Sequence, residues 1–113
     1  MEEEWKVIPD TDGLYFVSDR GRVKKVVNGV EDILKQRVQS NGNLYVTIGK
    51  TSKHYRRPNV LVKKLMFETF VRKLEYREFL KPLDGYKTNM DLENWHVVLN
   101  MAKHRMVNKS KEY

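Results

Sequence analysis

This sequence predicts an α+β chain: a small antiparallel N-terminal sheet with a packing helix, followed by a ββα hairpin and helix. Three observations carry the prediction. Before residue 60, short β-branched and aromatic runs alternate with turn signals that contain glycine. At Leu61 the apolar period lengthens from that of a strand to that of a helix. Two further short runs flank the stretch that contains Asp84-Gly85. The expected division is a β-rich module over residues 1–60 and a helix with a ββα motif over 61–113.

Leu14-Tyr15-Phe16-Val17-Ser18 is the first clear strand, because β-branched and aromatic side chains suit a pleated, half-buried surface. Asp19-Arg20-Gly21 turns it into a partner strand, Arg22–Val27. Asn28-Gly29 supplies the two positive φ angles that a type I′ hairpin turn needs. Ile33–Val38 reads as a further strand, and Asn41-Gly42 as the turn before Leu44–Ile48. There the alternation sets Leu44, Val46 and Ile48 on one face. His54–Val60 is expected to pair with it, with Pro58 near an edge or strand end because proline lacks the ladder N–H. From Leu61 onward, Val62, Leu65, Met66, Thr69 and Phe70 share one helical face, with Lys64 and Glu68 opposite and Lys63 flanking. Arg72–Arg77 is a charged connector, Phe79–Leu83 a short strand turned by Asp84-Gly85, and Trp95–Val98 a second one. Leu99–Val107 has helical character, and the basic tail from Asn108 is expected to fray. Trp5 and Tyr15 are expected in the core, and Gly13 and Gly21 in tight turns with positive φ.

At 113 residues the chain makes one small domain or two tightly joined modules. Its 40% apolar and 33% charged composition is that of an ordinary globular protein. No apolar run approaches the ~20 residues of a membrane span. Met1-Glu2-Glu3-Glu4 is too acidic for the basic start of a signal peptide, and a cytoplasmic location is expected. The absence of cysteine excludes disulfides, thiolate zinc sites and cysteine catalysis. The net charge is +7, and the cations cluster. One group is Arg20, Arg22, Lys24 and Lys25; a second runs through Lys50, Lys53, Arg56, Arg57, Lys63 and Lys64; a third is Lys103, Arg105, Lys109 and Lys111. Clustered cations suit a polyanionic partner, because each neutralised phosphate releases a counterion. The alternative for each cluster is a solvated basic surface without a ligand.

Several stretches carry a family resemblance. Glu3, Trp5 and Ile8, followed by Gly13-Leu14-Tyr15, Val17-Ser18 and Gly21-Arg22-Val23, resemble the tryptophan- and glycine-containing module that opens many phage HNH endonucleases. Ile33-Leu34-Lys35, Asn41-Gly42, Tyr45-Val46-Thr47 and Leu61–Phe70 follow the same family. Lys81-Pro82-Leu83-Asp84-Gly85-Tyr86-Lys87-Thr88-Asn89, with Leu92-Glu93-Asn94, resembles its active-site hairpin with the histidine removed. The resemblance covers about residues 3–104.

In that family the hairpin and the helix after it hold one divalent cation, and a histidine general base activates the attacking water. Carried over by position, the base falls on Pro82 and the first metal ligand on Lys81. Proline has no titratable group, and an ammonium offers no lone pair. Asn94 matches the asparagine that orients the histidine. The helix ligand falls on Lys103, or on Asn100 after a three-residue deletion, and Lys63 stands where the family's Val-His-Arg-Leu usually has histidine. The resemblance therefore implies a degenerate site with no assigned catalytic residue or metal ligand, Asn94, His96 and His104 being residual candidates. It implies no cofactor, Mg²⁺ entering only if a nuclease survives. The expected function is non-catalytic binding of double-stranded DNA, in a phage-infected or lysogenic bacterium. The expected contacts are Arg20, Arg22, Lys24, Lys25, Lys53, Arg56, Arg57, Lys63, Lys64, Lys81, Lys87 and Lys103, with Lys81 placing a fixed positive charge where the scissile phosphate would lie. Asp84-Gly85 and Asn89 are equally explained by turn chemistry. Two other functions stay open: an inhibitor or regulator of a host nuclease or polymerase that binds through Tyr55, Phe67, Tyr76 and Tyr86, and an endonuclease rearranged around Asn94, His96 and His104.

Overall fold

The computed structural model describes residues 2–49 and 59–99. It is a mixed α+β structure with antiparallel sheets and, among the described residues, one α-helix. Strands β1 (Trp5–Val7), β2 (Tyr15–Ser18), β3 (Val23–Val27) and β4 (Val30–Ile33) form a four-stranded sheet in that order. A second sheet holds β5 (Arg37–Val38), β6 (Leu44–Val46) and β7 (Val60–Leu61), and β7 leads straight into α1 (Val62–Phe70). β8 (Glu78–Pro82) and β9 (Trp95–Leu99) pair as a hairpin, and a 3₁₀ turn at Leu92–Asn94 closes their long connection.

Turn chemistry fixes the registers. Val27 pairs with Val30 across Asn28 (φ 51°) and Gly29 (φ 78°), the two left-handed residues of a type I′ turn. In the second sheet, Val38 pairs with Leu44 around a loop in which Gly42 has φ 86°. The alternation from Leu44 does bury Val46 and Ile48 together. The strand expected over Ile33–Val38 is divided. The Leu34 N–H still donates to the Val23 carbonyl, but the Gln36 side chain donates to the Gly21 carbonyl at 2.6 Å, and the chain crosses to the other sheet. β1 is a further strand beyond those expected, pairing Trp5 with Ser18. Most of the expected His54–Val60 strand lies outside the described residues, although Val60 does pair with Val46.

One hydrophobic core joins the pieces. Ile8, Tyr15, Val17 and Val23 from the first sheet meet Val46 and Ile48 from the second, Val62, Leu65, Met66 and Phe67 from the helix, and Leu80, Met90 and Trp95 from the hairpin. Residues on both sides of the expected boundary at position 60 thus share it. Three expectations need correction. Phe67, read as an interface aromatic, is buried, because the apolar face of α1 is wrapped by β1, β2, β6 and β7. Trp5 is half-buried rather than in the core, lying beneath the Lys24 ammonium at 4.3 Å. Leu99 ends β9, opposite Glu78, instead of starting a helix, and the rest of that expected helix lies outside the described residues.

The turn after β2 holds the halves together. Buried Ser18 accepts the Arg20 and Arg22 N–H groups on its Oγ, each at 3.1 Å, which fixes Gly21 at φ 79° against Met90. Beside it the Leu92 N–H donates to the Asp19 carbonyl at 2.7 Å. The outer rim is β4, exposed throughout; its Glu31 pairs with Lys24 at 3.2 Å, and its Asp32 lies opposite Lys25.

Two arginine–carboxylate pairs brace the periphery. Arg22 Nε donates to Glu3 Oε2 at 3.0 Å, and Arg72 forks onto Glu78 at 2.8 and 3.0 Å. The guanidinium hydrogen bonds are the main reason both carboxyls fall from their ordinary 4.5 to about 2. Folded values below unfolded ones mean that these contributions are complete above the ordinary value and vanish as pH falls through the folded value. Urea midpoints should therefore drop from about pH 5 to about pH 2, and the double variant Glu3→Gln, Glu78→Gln should flatten the drop. An equally steep fall in that variant would place the acid sensitivity elsewhere.

Candidate nucleic-acid interface

The β8–β9 hairpin places the positions that the family resemblance singles out. Register pairs Lys81 with His96 and Pro82 with Trp95. Directly opposed residues share a face, and successive residues alternate faces. Lys81 and His96 accordingly stand exposed on one face, whereas buried Leu80 and Trp95 mark the other. Asn94 is buried, and its amide is engaged in the turn. Its Oδ1 accepts the Asp84 N–H at 3.1 Å, and its Nδ2 donates to the Asn89 carbonyl at 3.0 Å. Trp95 Nε1 donates to that same carbonyl at 3.0 Å. The Asp84 carboxylate takes Asn89 Nδ2 at 2.7 Å and the Tyr86 N–H at 2.8 Å. Those donors, the Asn89 amide foremost, hold its pKa below the usual carboxylate value. In this hairpin Asp84, Asn89 and Asn94 are turn chemistry.

Lys63 and Lys87 come together beside it. Lys63 is half-buried in the first turn of α1, 5.0 Å above the Trp95 ring, with Asn43 Oδ1 at 3.4 Å and the Leu80 carbonyl at 3.5 Å. Burial, and secondarily the charge of Lys87, depress its pKa. Lys87 reaches back from the hairpin loop to donate to the Asn41 carbonyl at 2.8 Å.

The other expected contacts are scattered. Arg20 and Arg22 line an open groove of about 380 Å³ together with Gln36, Thr88 and Asn89. Arg22 is also paired with Glu3, and Lys24 is shared between Trp5 and Glu31. Lys25 lies 5.5 Å from the Tyr15 ring, and Lys64 is exposed. Tyr76 and Tyr86 are exposed. Lys53, Tyr55, Arg56, Arg57, Asn100, Lys103 and His104 lie outside the described residues. Asn43 and Trp95 are participants that sequence reading missed. The Asn41-Gly42 turn was legible, but its contact with a residue 46 positions away was not.

The positions to which the family resemblance assigns a divalent cation and its base carry poor donors for one. Lys81 offers an ammonium, Pro82 offers nothing, and the Asn94 amide is spent on the turn. Among the described residues, no three His, Asp or Glu side chains are grouped to hold a metal, and no helix is long and apolar enough to cross a membrane.

The comparisons with known proteins agree with this architecture. The NUMOD4 motif, found in homing endonucleases, matches residues 3–49. No curated protein matches the sequence. Among solved structures, the HNH homing endonuclease I-HmuI, a protein that binds and cleaves DNA, superposes with a TM-score of 0.71 at 26% identity. That match covers 96% of this chain and 59% of I-HmuI, so the chain spans well under two thirds of the endonuclease's length. The chain thus carries a motif found in homing endonucleases over residues 3–49 and is similar in fold to an HNH homing endonuclease.

Proposed function

We propose that this protein binds double-stranded DNA and does not hydrolyse it. The observation that carries the reading is the pair of residues at the end of β8: Lys81 opposite His96, and Pro82 opposite Trp95. They stand where an HNH site needs a metal ligand and a general base. Loss of the base alone removes about 10²- to 10⁴-fold in rate, and an ammonium at the ligand position repels the cation as well. The net charge of +7 and the likeness to a DNA-binding endonuclease support DNA as the partner. Lys81, exposed and without a carboxylate partner among the described residues, then supplies positive charge where a metal would have done so.

The test combines gel shifts at rising salt with a supercoiled-plasmid assay containing Mg²⁺ or Mn²⁺. Duplex binding should weaken steeply with salt, plasmid should stay intact, and Lys81→Glu should weaken binding more than Lys73→Glu. Metal-dependent nicking that disappears in His96→Ala or His104→Ala would replace this reading with a rearranged nuclease. Background affinity for DNA, with a host protein retained stably in pull-downs, would replace it with a regulator.

A further inference from the structure

We infer that Lys63 and Lys87 form one oxyanion site, walled by Asn43 and Trp95, and that a single backbone phosphate of the duplex occupies it. The inference deepens the DNA-binding reading by naming a contact.

The two ammoniums reach the same turn from different elements, Lys63 from the start of α1 to Asn43 Oδ1 and Lys87 from the hairpin loop to the Asn41 carbonyl. Among the described residues neither has a salt bridge. The neutral acceptors around Lys63 sit at 3.4 and 3.5 Å, the long limit of a hydrogen bond. Surface lysines that repel one another normally swing apart into water; these are tethered. The Trp95 ring holds Lys63 by a cation–π contact. The Asn41 carbonyl holds Lys87, whose Cδ lies so near Gly42 that a β-carbon there would be 3.4 Å away. Burial is the main cause of the depressed Lys63 pKa, and the charge of Lys87 adds to it. The first turn of α1 adds positive potential, having no acidic residue and no side-chain cap at Leu61. A phosphate relieves all of this at once: it cancels the repulsion, and its oxygens accept the ammonium protons that the long contacts leave poorly used.

The experiment uses the full chain and two probes. In the first arm, inorganic phosphate is titrated while the two indole N–H signals are followed by NMR, one from each tryptophan in the chain. The Trp95 signal should move saturably and the Trp5 signal should stay still. Lys63→Gln or Lys87→Gln should abolish the movement, and Lys73→Gln should preserve it. In the second arm, the salt dependence of duplex binding is measured. The double variant Lys63→Gln, Lys87→Gln should reduce the slope of log K against log salt by about 0.9, the value for one phosphate. A fall of about twice that would mean two separate phosphates and would overturn the shared site. A motionless Trp95 signal would overturn it too. Duplex binding untouched by the double variant removes the site and leaves the DNA reading standing. A phosphate response in a protein that ignores duplex leaves the anion site standing and removes DNA as its source.

Discussion

Gly21→Ala should cost about 3 kcal/mol or more and should abolish folding if the parent is only marginally stable. Two independent penalties add at this position. Gly21 has φ 79°, a left-handed conformation that costs a residue with a β-carbon about 1–2 kcal/mol. The new β-carbon would also lie 2.3 Å from Met90 Cβ and 2.9 Å from Met90 Cγ, with the Met90 carbonyl oxygen 3.2 Å away. Overpacking of that kind typically costs about 1–3 kcal/mol, and backbone cannot swing aside as a flexible side chain can. Gly13 is the internal control. Its φ of 72° is similar, but a β-carbon there meets nothing within 4 Å. Gly13→Ala should therefore show the conformational penalty alone, and the difference between the two urea midpoints isolates the contact with Met90. Equal losses in the two variants would mean that the β2–β3 turn and the Met90 segment do not approach as closely as described.

Asn94→Ala should destabilise the protein by about 2–3 kcal/mol, although in the HNH resemblance this asparagine serves catalysis. Truncation of this side chain, only 8% exposed, removes the acceptor of the Asp84 N–H and one of the two donors at the Asn89 carbonyl. The indole of Trp95 still serves that carbonyl, which limits the loss. Urea denaturation measures the total, and hydrogen exchange at the Asp84 amide, which should accelerate, assigns it to the turn. Unchanged stability would show that the residue does nothing for the fold. The expected loss instead gives this asparagine a structural role that needs no histidine: the hairpin cannot close well without it.

Much of the architecture was legible because local chemistry determines it. Asn28-Gly29 dictates a two-residue turn, and the alternation through Val46 and Ile48 dictates the buried face of β6. Helix α1 was read within a residue of its start, yet Phe67 was assigned to solvent, because a single-faced helical pattern does not anticipate burial by strands on several sides. β1 escaped notice since three residues, one of them Lys6, carry too little periodicity. The site was legible only as a list. Lys63 and Lys87 were both singled out for their charge, but their meeting depends on Trp95 and on the Asn41-Gly42 turn, contacts that no local pattern encodes. Conversely, Arg22 and Lys24, expected as DNA contacts, are matched by Glu3, 19 residues away, and by Glu31 across the β3–β4 hairpin.

That matching on the β3–β4 hairpin gives the molecule a sense of direction. Val23–Ile33 holds two lysines and two acids in a chain whose overall charge is +7, and its outermost strand displays both acids. In the field of a polyanion this rim, where acids balance lysines, feels little net pull, whereas Lys63, Lys81 and Lys87, which have no salt bridge among the described residues, are drawn toward the polyanion. Such pre-alignment operates only while the field reaches past the first hydration layers, so it fades as the screening length shrinks to about 8 Å near physiological ionic strength. Productive encounters are then selected by collision, and association slows even where the final complex is unchanged.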